Sequence, residues 1–108
     1  MYIAMNRFQV PQETQEAYEE MWLHRDSYLK QEPGFVEFHM LKGPTVDGTT
    51  LYASHTVWAD EAAFLAWTRS QSFRDAHKGA GGQRPLFTGH PKFEGFTAIQ
   101  HITLDPAS

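Results

Sequence analysis

The chain has 108 residues, 41% hydrophobic and 14% aromatic, which is enough apolar material for one packed domain over residues 1–108. Nine basic and thirteen acidic residues give a net charge of −4, which argues against a nucleic-acid binder because phosphate contacts need clustered basic residues. The absence of cysteine excludes disulfides, thiolate metal sites and a thiol nucleophile. No apolar run approaches the ~20 residues of a membrane span, and the N-terminus lacks a signal-peptide pattern. We therefore expect a cytoplasmic protein that does not bind membranes.

The first half of the chain predicts a strand, a helix and a second strand. Residues 2–8 alternate as a strand, with one face made of Tyr2, Ala4, Asn6 and Phe8. Apolar residues then recur every three or four positions over 12–31, which predicts an amphipathic helix that Pro33-Gly34 ends. Residues 35–42 predict a strand whose alternation places Phe35 and Leu41 on one face. Its other face carries Val36, Phe38 and Met40.

The second half predicts a hairpin, two helical segments and a last strand. Asp47-Gly48 is typical of a tight reversal before a β-branched and aromatic strand at 50–58. Asp60 is a favourable N-cap for a helix over 61–69, and Ser70 and Ser72 flank an expected break before a short helical turn at 73–78. Residues 79–92 are rich in glycine and predict a flexible loop. A last strand is expected over 93–103 and a frayed tail over 104–108.

The predicted order is β-α-β-β-α-β, which is the ferredoxin-like arrangement of the α+β class, an antiparallel sheet with helices on one face. Apolar residues occupy both faces of the second and last strands. Because two helices can cover only one face, we expect the other face to pack on a second copy and form a homodimer.

Searches for local motifs find none of the common catalytic or phosphate-binding patterns. There is no nucleophile elbow, and Gly79-Ala80-Gly81-Gly82 follows a helix rather than opening one. No two histidines have the local spacing of a zinc site. The six are His24, His39, His55, His77, His90 and His101.

Three residues are nevertheless candidates for a site. Asn6 is a polar residue on an otherwise apolar strand face, where it either bonds a neighbouring loop or aims a donor into a pocket. Trp67 follows Ala63 and Phe64 on one helix face and could be core or pocket wall. His77 is ten residues further on, so the two residues share a cavity only if the helix breaks between them; otherwise His77 is a surface or capping histidine.

The same three positions carry a family resemblance. The segment Thr56-Val57-Trp58, followed by Phe64, Trp67, Phe73 and Ala76-His77-Lys78, resembles the haem-degrading monooxygenases of the IsdG type, within the antibiotic biosynthesis monooxygenase superfamily. Asn6-Arg7-Phe8 and Pro33-Gly34-Phe35 match further family segments. The resemblance covers residues 1–78 and fades over 79–92.

The resemblance implies a dimer whose two sheets form an α+β barrel, with a haem pocket in each subunit. It implies that His77 is the proximal ligand of the haem iron, that Asn6 donates a hydrogen bond on the distal side, and that Trp67 ruffles the porphyrin. Phe64 and Phe73 are expected to line the same apolar slot. Haem would be both substrate and cofactor, opened by O2 with an external electron donor, which could be a reductase or a small-molecule reductant. The candidates for binding the propionates are Arg25, Arg69, Arg74 and Lys78.

Three functions remain open from the sequence. The first is a haem-degrading monooxygenase, which would bind haem and release its iron. The second is a cofactor-independent monooxygenase of quinols or phenolic compounds, in which the same residues would orient the organic substrate. The third is a haem-binding module without turnover.

Overall fold

Within the part of the chain that the structure describes, a four-stranded antiparallel sheet packs against the helices α1 (Gln15–His24) and α2 (Glu61–Thr68). The computed structural model describes residues 1–24, 29–71, 73 and 88–104. The strand order is β2-β3-β1-β4, with both neighbours of β1 antiparallel to it. The elements are β1 (Tyr2–Pro11), α1 (Gln15–His24), β2 (Phe35–Val46), β3 (Thr49–Trp58), α2 (Glu61–Thr68) and β4 (Thr88–Thr97). This order and sheet confirm the predicted α+β, ferredoxin-like fold.

The β2–β3 hairpin forms where the sequence predicts a reversal. Asp47 and Gly48 both adopt left-handed conformations, with φ of 53° and 79°. Two successive positive φ values are those of a type I′ turn, whose twist matches that of the flanking strands. The hairpin is longer than predicted, because β2 continues to Val46 rather than ending at Lys42.

Edge position explains why β2 continues through Gly43 and Pro44. The register shifts between Lys42 and Thr45, so that two β2 residues lie opposite a single β3 residue. A bulge on an edge strand leaves a residue outside the hydrogen-bond ladder. Proline is tolerated there because the position needs no N–H donor. The glycine and proline that predict a loop are therefore accommodated inside the strand.

The last strand also differs from the prediction. It spans Thr88–Thr97 rather than 93–103, so the predicted loop at 79–92 overlaps it from residue 88, and residues 79–87 lie outside the described part. β4 is the opposite edge strand, and its register with β1 shifts across residues 89–91, which include Pro91 and lie between the partners of Gln9 and Arg7. Residues 98–104 have no strand structure.

The first helical region is shorter than predicted. The α-helix covers Gln15–His24, whereas Gln12–Thr14 and Leu29–Gln31 are 3₁₀ turns and residues 25–28 are outside the described ranges. The predicted stop is confirmed at Gly34, which has φ of 83°. A Cβ there would lie 2.5 Å from the Cβ of Ala63, so glycine allows the chain to pass close to α2.

The helices cover one face of the sheet, as their ring contacts with the strands show. β1 alternates as predicted, with Tyr2, Ala4 and Val10 buried on the helix side. The predicted alternation of β2 is wrong at its start. A register shift between Phe35 and Glu37 inserts one extra residue, so Phe35 lies on the same face as Phe38 and packs against the same core cluster.

Candidate functional site

An aromatic cluster lies where α2 crosses the sheet. The fully buried Trp58, at the end of β3, lies 6.2 Å from the Trp67 ring and 6.1 Å from the Phe64 ring, centroid to centroid. Tyr2 of β1 packs on Phe64 at 5.5 Å. Burial, with a smaller contribution from the nearby Glu61 carboxylate, raises the pKa of the Tyr2 hydroxyl. The cluster therefore forms a rigid apolar wall for this end of the helix-covered face.

The start of α2 is fixed by its cap. The side chain of Asp60 accepts a hydrogen bond from the Ala63 N–H at 2.8 Å, as predicted, which satisfies one of the free donors of the first turn. The helix then presents Phe64 and Trp67 to the sheet, one turn apart. Trp67 is buried, with 7% of its surface exposed.

The predicted break after α2 is confirmed at Ser70. The Ser70 N–H donates to the Trp67 carbonyl at 3.0 Å, and the Ser70 hydroxyl accepts from the Phe73 N–H at 3.0 Å. Ser70 thus ends α2 and accepts a capping bond from Phe73, whereas Ser72 and the rest of the helical turn predicted at 73–78 lie outside the described residues. The break brings the Phe73 ring to 5.3 Å from that of Trp67, nearly perpendicular to it at 83°. Two of the predicted slot residues are therefore in contact.

Asn6 lies on the helix-covered face of the sheet, two positions along β1 from the buried Ala4. Its cross-strand neighbours are Ser54 on β3 and Phe93 on β4. The side chain is partly exposed, and within the described ranges no hydrogen bond to it is found. The bonded-loop interpretation finds no support among these residues.

Phe93 is a candidate that the sequence did not single out. Its ring stacks on Phe64 at 5.5 Å with only 12° between the planes, and 50% of the residue is exposed. It lies directly opposite Asn6 across the β1–β4 pairing. The sequence signal was its alternation in the last strand, but only the register shows that it meets Asn6.

His77 lies outside the described residues, as do Arg25, Arg74 and Lys78 among the propionate candidates, so those predictions remain predictions. Arg69 follows α2 directly and is exposed. Within the described ranges, no three histidine, aspartate or glutamate side chains converge on a possible metal position. The helices in those ranges include none with the length and apolar character to span a membrane.

A second concave surface, which we call the α1 groove, lies between α1 and the β2–β3 hairpin. It has a volume of about 380 Å³ and is lined by Tyr18, Glu19, Trp22, Leu23, Phe38, Met40, Lys42 and Tyr52. The Glu19 carboxylate accepts a hydrogen bond from the Tyr52 hydroxyl and pairs with the Lys42 ammonium at 2.8 Å. These bonds hold the pKa of Glu19 below its usual range, whereas burial and then Glu19 raise the pKa of Tyr52. The network ties α1 to the sheet.

Comparison with known proteins places the chain in a family. Residues 1–79 match the family model described as antibiotic biosynthesis monooxygenase. A mutant of MhuD solved with two manganese protoporphyrin IX molecules per active site is 25% identical over 95% of this chain and 99% of that one, with a TM-score of 0.77. The haem-degrader MhuD of Mycobacterium tuberculosis, with two haems bound in its active site, is 26% identical over 95% and 100% of the two chains, with a TM-score of 0.72.

A third solved structure shares the fold at lower sequence identity. The cofactor-independent oxygenase SnoaB of Streptomyces nogalater shares the fold, with 23% identity over 94% of this chain and 95% of that one and a TM-score of 0.60. The MhuD matches confirm the resemblance to the haem-degrading group that the sequence motifs indicate. The family match supports a monooxygenase, and the chain belongs to the antibiotic biosynthesis monooxygenase family.

Proposed function

We propose that the chain is a monooxygenase that binds haem as its substrate and opens the porphyrin. The observation that carries the proposal is the Asn6 amide, which has no partner in the described residues and lies between the small Ser54 and the half-exposed Phe93. The MhuD matches support haem as the ligand of this face.

The residues present fit a porphyrin. A porphyrin is a planar apolar ring that needs flat hydrophobic walls and few polar contacts. Phe64 and Phe93 form a parallel pair beside Asn6, and Trp67 and Phe73 form a second aromatic pair on the same side of the sheet. One amide donor beside two aromatic pairs is the composition that such a ligand requires.

In the proposed mechanism each residue has one role. Bound haem supplies the iron at which O2 is activated with electrons from an external donor, and its ring is the substrate. His77, through a neutral imidazole nitrogen, would hold the iron. Asn6 would donate a hydrogen bond from its amide into the cleft, and Trp67, fixed by Trp58 and Phe73, would press on the ring and exclude water. Ring opening would release iron.

The proposal includes a homodimer. On the sheet face opposite the helices, β1 and β4 place Ile3 and Phe96 side by side. Phe96 is 46% exposed, and the chain beyond β4 exposes further large apolar residues, with Ile99 98%, Ile102 79% and Leu104 98% exposed. Surfaces of this kind mark interfaces, because leaving them in water is unfavourable. A second copy would bury them, as the family resemblance implies.

A cofactor-independent oxygenase is the second candidate. The observation in its favour is the shared fold of SnoaB over nearly the full chain. An unpartnered amide beside aromatic walls would also bind a flat phenolic substrate, with Asn6 on its hydroxyl group. In this case O2 would react directly with the substrate.

The test is a haemin titration followed by reductant. We expect a Soret band of a histidine-ligated haem that bleaches with ascorbate in air. His77→Ala should lose that ligation, whereas His101→Ala, at an exposed residue, should keep it. Asn6→Ala should bind haemin and bleach more slowly. An unchanged Soret band in His77→Ala would contradict the ligand assignment, and oxidation of phenols without haem binding would favour the second candidate.

A further inference from the structure

Two histidines face each other on the sheet surface opposite the helices. His39 of β2 and His55 of β3 are directly paired in the register, 16 residues apart in sequence. Their Nδ1 atoms are 3.4 Å apart, and their ring centroids are 5.4 Å apart with 48° between the planes. Neither lies on the helix-covered face, so the pair is separate from the site described above.

The distance between the two Nδ1 atoms matches the spacing of two imidazole ligands on one metal ion. In tetrahedral zinc sites an imidazole nitrogen lies about 2.0–2.1 Å from the metal, so two such ligands are about 3.4 Å from each other. The Nδ1 atoms of His39 and His55 are already at that distance. Because both residues lie within paired strands, the sheet register holds their backbones at the spacing that chelation needs.

The Glu37 carboxylate lies next to the His39 ring, on the side away from His55. Glu37 Oε2 lies 3.6 Å from Nε2 of His39, the nitrogen that does not face His55, and both side chains are about half exposed. A carboxylate at that position favours a proton on Nε2 and leaves the Nδ1 lone pair available, as in many histidine–metal sites. The β1 partner of His55 is the uncharged Met5, and the nearby charges on this face, Arg7 and Glu94, pair with each other at 2.6 Å.

We propose that His39 and His55 form a chelating site for a divalent transition metal ion of the zinc class. Both rings would bind as neutral imidazoles through Nδ1, so a ring that carries its proton on Nδ1 moves it to Nε2 through water before binding. No third ligand residue joins the pair in the described chain, so two positions belong to water or to side chains of a second copy. The site does not depend on haem binding or turnover.

Zn²⁺ titration of the haem-free protein by calorimetry tests the proposal. We expect one ion per chain if water completes the site, or one ion per two chains if a second copy does. The affinity should fall at least tenfold in His39→Ala and in His55→Ala. His24→Ala is the matched control, because His24 also faces a carboxylate, Glu20 at 3.1 Å, but lacks a facing imidazole. This variant should bind Zn²⁺ as the parent does.

A second measurement covers the case in which a substitution disturbs the sheet. In the unaltered protein, nitrogen NMR of the imidazoles should show the Nδ1 signals of His39 and His55 moving together on addition of Zn²⁺. His55→Gln, which keeps a polar side chain, should lose the response of both residues. Absence of Zn²⁺ binding, equal binding in the double variant His39→Ala/His55→Ala, or a response confined to other histidines would overturn the proposal.

Discussion

Replacing Gly95 by alanine should disturb the aromatic wall of the site from the opposite strand. Gly95 of β4 pairs with Ala4 of β1. A Cβ at position 95 would lie 1.9 Å from Oη and 2.8 Å from Cζ of Tyr2, distances at which something must move. Tyr2 is 8% exposed and packs on Phe64. The ring cannot keep its place, so the contact between Tyr2 and Phe64 must weaken.

The magnitude follows from overpacking and from the aromatic contact. Forcing extra volume into a packed site costs about 1–3 kcal/mol, and loss of a favourable aromatic pair is worth about 0.5–1.5 kcal/mol within that total. Gly43→Ala is the matched control in the other edge strand. Its new Cβ would come no closer than 3.2 Å to another residue, at the Leu51 carbonyl oxygen, whereas the Cβ at position 95 would come within 1.9 Å. We expect the control to change the free energy of unfolding by less than about 1 kcal/mol.

Urea unfolding of the two variants is the assay, with Tyr2→Phe as a second perturbation. Removing the Tyr2 hydroxyl takes away the atom that a Cβ at Gly95 would approach most closely, so Gly95→Ala should cost less in the Tyr2→Phe background. A Gly95→Ala variant that is as stable as the parent, or one whose cost is the same in both backgrounds, would refute the reasoning.

Two further predictions concern the helices. The bonds from Lys42 and Tyr52 lower the pKa of Glu19, so its carboxylate should stabilise the folded chain at pH values above the ordinary pKa of 4.5. This stabilisation should be lost as the pH falls through the lowered pKa. The difference in free energy of unfolding between the parent and Glu19→Gln, present at pH 7, should therefore close in acid. Equal gaps at both pH values would contradict this. Asp60→Ala should lower the free energy of unfolding by about 1 kcal/mol through loss of the cap on Ala63, whereas Asp60→Asn should be nearly neutral. Denaturant unfolding measures both, and equal losses in the two variants would show that the cap does not matter.

Local chemistry made several elements predictable from the sequence. The turn at Asp47-Gly48 requires two positive φ values, which few residue pairs other than Asp-Gly and Asn-Gly adopt readily. Asp60 supplies a side-chain acceptor for a free N–H of the first helical turn. Ser70 likewise marks the break after α2. Each of these features depends on a few neighbouring residues, so the sequence contains the whole cause.

The edge strands were harder to predict because their irregularities depend on pairing. Pro44 and Pro91 indicate loops by composition, yet both lie in edge strands with shifted registers beside them. The extra residue near Val36 reverses the alternation of β2, so Phe35 faces the helices. Whether a proline lies in a central or an edge strand is a property of the assembled sheet.

The site shows the same division. The position of Asn6 on the helix-covered face follows from alternation in β1, and this was predicted. Its meeting with Phe93, and the pairing of His39 with His55, depend on which strands are neighbours and in what register. Residues far apart in sequence have no local signal of such contacts.

Mass analysis of haemin turnover under isotopically labelled dioxygen tests the central claim most directly. The protein, haemin and ascorbate are incubated in air or labelled oxygen, with haemin and ascorbate alone as the reference for non-enzymatic oxidation. We predict an open-chain tetrapyrrole that carries the label, together with free iron. Asn6→Ala should form this product more slowly. Recovery of intact haem, or products equal to those of the protein-free reference, would contradict the account.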